Sequence, residues 1–169
     1  MFRKLFQRSS NNVPSEEVIT SPITGKVMAI EEVPDPVFSQ KMLGDGVAIL
    51  PAEGNVYAPI DGEVIQVFPT KHGIGLRGRQ GIELLIHVGL DTVMMKGEGF
   101  NAHVEEGERV SAGQLLLSCN LSLIEERAKS TITTLTITNG EKVGLMDKYL
   151  NHQAVANETV ILRLKEIKD

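Results

Sequence analysis

Two histidines, His87 and His72, are the residues of this chain best suited to chemistry. His87 ends a run of branched apolar residues, Leu84-Leu85-Ile86, that reads as a buried strand. A strand gives an imidazole ring a stiff support. Gly89 leaves room beside the ring, and Asp91 puts a carboxylate nearby. His72 lies upstream in Phe68-Pro69-Thr70-Lys71-His72-Gly73. The interval suits one strand out, a Gly-rich turn over residues 77–81 and one strand back, which sets the two rings side by side on neighbouring strands. With a reference pKa near ~6.5, imidazole is mostly neutral at pH 7, so a ring nitrogen offers a lone pair and can act as a nucleophile.

Residues 81–93 resemble the active-site signature of the glucose-type IIA proteins of the bacterial phosphoenolpyruvate-dependent sugar phosphotransferase system. Gly81, the aliphatic run 84–86, His87, then Val88-Gly89-Leu90 and Thr92-Val93 fill its positions. The segment from Val33-Pro34-Asp35 to Gly44-Asp45-Gly46, Lys96-Gly97-Glu98-Gly99-Phe100, and Glu106-Gly107-Glu108-Arg109-Val110 match further blocks. The likeness covers about residues 16–165. It implies that His87 accepts a phosphoryl group through Nε2, with its Nδ1 proton held by a backbone carbonyl. His72 then donates a hydrogen bond to the phosphoryl oxygens, and Thr70 orients the His72 ring. Asp35 and Asp91 correspond to two acidic neighbours of the site. A phosphohistidine carries nearly two negative charges, so carboxylates beside it keep the group from being held too tightly and pair with a basic partner surface.

A carrier must dock a donor and an acceptor in turn and release both, which suits a modest apolar patch with a charged rim. The candidates are Val37, Phe38, Met42, Leu43, Phe68, Ile74, Leu85 and Val93, about half of which should prove to be core. Val88 stands where phenylalanine is frequent in the family, and Met94 where many members are polar. His103 and His152 lack a supporting pattern and read as surface residues.

The 169 residues allow one domain with a real core. The formal charge of −5 argues against nucleic-acid binding and suits a basic protein partner. Cys119 is the single cysteine, which excludes an internal disulfide and a multi-cysteine metal site and reads as small core filler. No stretch approaches a membrane span of ~20 apolar residues, and no secretory signal is evident. The expectation is a monomeric cytoplasmic protein. Residues 1–15 read as an arm, with Phe2, Leu5 and Phe6 at helical spacing among Arg3, Lys4 and Arg8. Residues 1–8 could therefore lie peripherally on the anionic inner face of the membrane, or simply form a tail.

Residues 16–169 read as one domain. Ser21-Pro22-Ile23-Thr24-Gly25 followed by an alternating run recurs as Ala58-Pro59-Ile60-Asp61-Gly62. Strands are expected at 17–20, 26–32, 47–50, 56–57, 63–68, 82–88, 115–119, 131–138 and 159–165. The fold class is all-β, an antiparallel sandwich or barrel with an internal pseudo-repeat and at most one or two short helices. One helix is expected at 122–129, with Ser122 and Glu125 as a capping box. Residues 146–151 fit a loop or a short helix.

The resemblance implies two partners, the histidine-containing phosphocarrier protein and a IIB domain or IIBC sugar permease whose cysteine receives the phosphoryl group. No cofactor is implied, since the group arrives activated. A purely regulatory binding module would use the same face. Zinc hydrolysis on a related fold needs a third ligand and a His-x-His motif that the chain lacks, although adventitious zinc between His72 and His87 is conceivable. Lys96 does not suit a biotinyl site, because it lies too close to Gly107.

Overall fold

The structure is a computed structural model that describes residues 15–169. The N-terminal arm expected over residues 1–15 therefore lies, but for Ser15, outside the described residues.

Fourteen strands follow one another as β1 (Glu16–Thr20), β2 (Gly25–Ala29), β3 (Asp45–Pro51), β4 (Asn55–Tyr57), β5 (Gly62–Val67), β6 (Gly73–Gly78), β7 (Glu83–Leu90), β8 (Phe100–Ala102), β9 (Arg109–Val110), β10 (Leu115–Cys119), β11 (Ser130–Ile137), β12 (Val143–Lys148), β13 (Gln153–Ala154) and β14 (Val160–Ile167). Two short helices join them, α1 (Pro36–Ser39) and α2 (Leu121–Arg127). The strands form an eight-stranded sheet of order β13-β2-β3-β11-β7-β6-β5-β9 and two three-stranded sheets, β1-β14-β12 and β4-β10-β8. All pairings are antiparallel.

The pseudo-repeat is visible as symmetry in the large sheet. On either side of the central β11–β7 pair come a long strand, then the strand that follows the proline–glycine turn, then a two-residue edge strand. Gly25 and Gly62 occupy equivalent places at the starts of β2 and β5. A Cβ on Gly25 would meet the Leu50 carbonyl oxygen at 2.1 Å, and one on Gly62 would meet that of Arg77 at 2.2 Å. Glycine thus recurs because the backbone approaches too closely for a side chain.

Alternation along the strands makes the core. Leu84, Ile86 and Val88 of β7 and Ile74 and Leu76 of β6 face inward, packing with Ile19, Ile49, Leu135, Leu162 and Leu164. A smaller cluster of Ile30, Val33, Phe38, Ala48, Leu90 and Ile132 joins the segment before and within α1 to the other face of the large sheet. Cys119 packs at the edge of the main core, where burial pushes its thiol up to about 11.

Several local expectations change. His87 lies inside β7, which continues to Leu90, because β11 pairs with it beyond the histidine. Helix α2 starts one residue earlier than expected. Its cap is Asn120, whose side chain accepts from the Leu123 N–H at 3.1 Å, and not Ser122. The first half of the ambiguous stretch 146–151 belongs to β12, an edge strand whose only partner among the described strands is β14, and the rest is loop. Its partly exposed residues give no clean alternation. Helix α1 was not foreseen, although Asp35 at the cap and Pro36 at the first position are a readable start signal.

Candidate functional site

The site lies on the outward face of β6 and β7. Side chains alternate across a sheet, so Glu83, Leu85 and His87 share the face opposite to the core residues of β7. Directly across on β6 stand Gly75 and Gly73, opposite Leu85 and His87. Gly75 leaves that part of the sheet low, while the Phe68 ring lies over Gly73, where a Cβ would stand 2.6 Å from it. The result is a groove of about 530 Å³ lined by His72, His87, Phe38, Phe68, Asp35 and Asp91 at one end and by Gln66, Glu83 and Thr138 at the other.

His87 is fixed from three sides. Its Nδ1 lies 2.9 Å from the Gly89 carbonyl oxygen. A carbonyl only accepts, so Nδ1 carries the proton and the neutral ring keeps its lone pair on Nε2. Gly89 enables this with a φ of 78°. A Cβ there would also stand 2.4 Å from Thr92 Cγ2. The glycine therefore serves by its backbone conformation more than by leaving space for the ring. Phe38 packs against His87 with ring centroids 5.0 Å apart, and Phe68 lies at 6.2 Å.

His72 meets His87 nearly at a right angle, with centroids 4.8 Å apart. It does not sit in a strand. Pro69 and Thr70 form a turn before β6, closed by the Lys71 N–H on the Phe68 carbonyl at 2.8 Å, and Lys71 takes a left-handed φ of 61°. The turn still brings Thr70 Oγ1 to 2.7 Å from His72 Nδ1. The His72 carbonyl accepts from the Val88 N–H at 2.7 Å, tying this turn to the strand that carries His87.

Burial, more than any charge, sets the protonation of the pair. It pulls the His87 pKa down to about 4, helped by the neighbouring His72 and opposed by the Gly89 carbonyl and the Asp35 carboxylate. Burial also lowers that of His72, partly offset by Thr70. Both rings are neutral at pH 7.

The acidic residues have local duties as well. Asp35 caps α1, its Oδ1 accepting from the Val37 N–H at 3.0 Å, and so aims the helix that carries Phe38 onto His87. Lys129 Nζ donates to the Pro34 carbonyl at 2.7 Å and holds the same loop. Asp91 is left-handed at φ 60° and turns the chain out of β7 into a short 3-10 turn, Thr92–Met95. Left-handed non-glycine residues cost of order 1–3 kcal/mol and cluster at functional sites. Here Lys71 and Asp91 flank the two histidines.

The proposed docking patch divides. Met42, Val93, Leu43 and Val37 are exposed, at 67%, 54%, 39% and 37%. Phe68 and Leu85 line the groove wall. Phe38 is only 4% exposed and packs underneath. Ile74 is fully buried, since it alternates to the core face of β6, and it cannot touch a partner. Sequence reasoning missed Gln66, Glu83, Gly75, Thr92 and Thr138 of the groove lining. The period of two would have found Glu83, four residues before His87 on the same face.

His103 Nε2 lies 2.9 Å from Ser118 Oγ, and His152 Nδ1 lies 3.3 Å from the Gln153 carbonyl; neither lines the groove. Among the described residues no group of three or more His, Cys, Asp or Glu could hold a metal ion, so His72 and His87 have no third ligand of that kind beside them. Among the described residues no helix is long and apolar enough to cross a membrane.

A neutral, oriented imidazole with a free Nε2 and a second imidazole beside it is suited to carrying a phosphoryl group. The chain belongs to the EIIA 1 family of the phosphoenolpyruvate-dependent sugar phosphotransferase system, whose family model matches residues 17–143. It is 51% identical to the PTS system glucose-specific EIIA component of Bacillus cereus, over 97% of this chain and 98% of that one. It is 47% identical to the protein of the same description from Halalkalibacterium halodurans, over 98% of both chains. The solved structure of glucose permease IIA from Mycoplasma capricolum superposes with a TM-score of 0.80 at 31% identity, covering 88% of this chain and 96% of the other. The fold class read from the sequence is thus the one the family shares. The chain is a component of the sugar phosphotransferase system.

Proposed function

We propose that the protein carries a phosphoryl group on His87 Nε2, taking it from the histidine-containing phosphocarrier protein and giving it to a cysteine of a IIB domain in glucose uptake. The observation that carries this reading is the 2.9 Å contact of His87 Nδ1 with the Gly89 carbonyl, which leaves Nε2 as the nucleophile. In the first step the lone pair on Nε2 forms a bond to phosphorus as the bond to the donor's ring nitrogen breaks. In the second, a thiolate on the acceptor takes phosphorus and His87 is restored. No metal or nucleotide enters, because the group arrives activated.

The other residues take supporting roles in this proposal. The Thr70 hydroxyl donates to His72 Nδ1, so that His72 Nε2–H points its proton at a phosphoryl oxygen. Asp35 and Asp91 keep the phosphoryl group from being held too tightly and face basic groups of a partner. Val37, Met42, Leu43 and Val93 form the apolar contact, with Phe68 and Leu85 in the wall. We assign residues 16–169 to one domain acting as a monomer in the cytoplasm, since β14, beyond the family match, is the central strand of the β1-β14-β12 sheet.

The test is incubation of the parent and His87→Gln with phosphoenolpyruvate, enzyme I and the phosphocarrier protein, followed by intact mass and site mapping. The parent should gain one acid-labile phosphoryl group at His87 and the variant none. The same incorporation in the variant would refute the assignment.

A further inference from the structure

We propose that Met42 and Met94 are modification sites, at which a peroxide converts the thioether to a sulfoxide and so weakens docking beside the groove while leaving His87 able to react. The order of oxidation rests on exposure alone. Its effect on docking rests on the carrier function proposed above.

The first observation is exposure. Among the described residues the two most exposed large apolar side chains are both methionines, Met94 at 74% and Met42 at 67%. Met95, the very next residue, is only 6% exposed and belongs to the main core. Met28 and Met146 are half-buried against the two core clusters. An oxidant must reach the sulfur, so Met42 and Met94 come ahead of the other three.

The second is place. Leu43 and Val93 line the groove, and each exposed methionine is the chain neighbour of one of them. The backbone is fixed at both. The Met42 N–H donates to the Val37 carbonyl at 3.0 Å, and the Met94 N–H donates to the Asp91 carbonyl at 3.2 Å. Two flexible thioethers thus stand on firm turns beside the histidine pair. Such soft side chains suit a surface that meets different partners in turn. Neither lines the groove itself, so a change there spares the ring of His87.

The third is the lack of a better sulfur. Cys119 is the single cysteine, and burial pushes its thiol up to about 11. Little thiolate, the reactive form, is present at neutral pH.

In the reaction a sulfur lone pair forms a bond to one peroxide oxygen as the O–O bond breaks. That oxygen stays on sulfur. The other leaves with the bonding electron pair, takes up the remaining peroxide proton and departs as water. Sulfur is oxidised and the peroxide reduced. A polar S–O group then replaces apolar surface, and covering it without a hydrogen-bond partner is costly. Sulfoxide reductases, one for each epimer, can restore the thioether.

The test treats the full chain, as the parent and as Met42→Leu/Met94→Leu, with hydrogen peroxide. Oxidation is mapped by peptide mass, with thermal melting as a check on folding. Met42 and Met94 should each gain one oxygen atom well before Met28, Met95 and Met146, with melting unchanged. Transfer from the phosphocarrier protein to His87 in the parent should then fall by about ten-fold at low donor concentration and recover at saturating donor. Incubation with both sulfoxide reductases should restore it. The double variant, compared with its own untreated form, should not respond to peroxide. Oxidation of Met28 or Met95 as early as Met94 would overturn the proposal. So would an unchanged rate in the oxidised parent, or an equal loss in the double variant. An untreated parent that takes up no phosphate would refute the carrier reading and the docking effect with it, while the order of oxidation is still decided by mass.

Discussion

Acid should destabilise this protein through His87 before it protonates most carboxylates. The ring has a pKa of about 4 in the folded chain, and about 6.5 when unfolded. Between those values the unfolded state binds a proton that the folded state refuses, so stability falls as pH falls. The effect is nearly absent at about pH 8. Linkage gives a loss of about 2 kcal/mol by about pH 5 and about 3 kcal/mol once both states are protonated. With a urea slope of about 2 kcal/mol per molar, the unfolding midpoint drops by about 1 M between about pH 8 and about pH 5. Other groups titrate in the same range, so His87→Gln supplies the baseline. That variant cannot take up the proton, and the difference between the two midpoint curves isolates His87. Parallel curves across the range would refute the burial argument, as would an NMR titration of the His87 ring centred near its unfolded value.

Two further substitutions separate positioning from contact. Thr70→Val removes the hydroxyl 2.7 Å from His72 Nδ1. It should leave phosphate uptake on His87 intact and slow transfer to a IIB domain by about ten-fold, the equivalent of one lost hydrogen bond of ~1.4 kcal/mol, read by rapid quench. A parental rate would remove Thr70 from the mechanism. Leu43→Asp and Phe38→Asp should behave oppositely, because Leu43 is 39% exposed and Phe38 only 4%. The Leu43 variant should melt like the parent but meet both partners more slowly. The Phe38 variant should lose about 3–5 kcal/mol in denaturant unfolding, from a buried unpaired carboxylate and a lost aromatic ring. An unchanged midpoint for Phe38→Asp would contradict the packing of α1, and parental kinetics for Leu43→Asp would take Leu43 out of the interface.

Five strands of the large sheet, β2, β3, β5, β7 and β11, were legible in the sequence as apolar or alternating runs punctuated by turn residues, and β6 was implied by the hairpin, whereas the two-residue edge strands β9 and β13 are too short to show a period and were not read. The hairpin that brings His72 and His87 together was legible for the same reason. The sequence did not disclose that His72 precedes its strand, since the turn depends on a left-handed Lys71, a conformation no composition announces. The double duty of Asp35 was half visible. Its carboxylate caps a helix of only four residues, below the length at which helical periodicity can be seen. The misreading of Ile74 was avoidable. His87 pairs across from Gly73, so the neighbouring Ile74 must point to the other face.

The near-symmetry of the large sheet raises the question of why only one half has a groove. On the β3 side of the central pair the residues facing outward are also small, Gly46 and Ala48 opposite Thr136 and Thr134. There the space is filled. The segment from Ile30 to Phe38 folds down on Ala48 and Ile132 and seals that face with apolar side chains. On the β6 side Gly75 keeps the sheet low and the Phe68 ring lies over Gly73, yet the covering segment ends at Phe38, whose ring stops against His87. The uncovered remainder is the groove. The asymmetry therefore comes from one loop and not from the sheet. The loop is held by Lys129 on Pro34, by the Asp35 cap, and by Lys41 bridging Glu31 and Asp45. The pairs of Lys41 are exposed and each contributes little. The cap and the packing of Phe38 are the stronger terms, and they set both how deeply His87 is buried and how much of its face stays open.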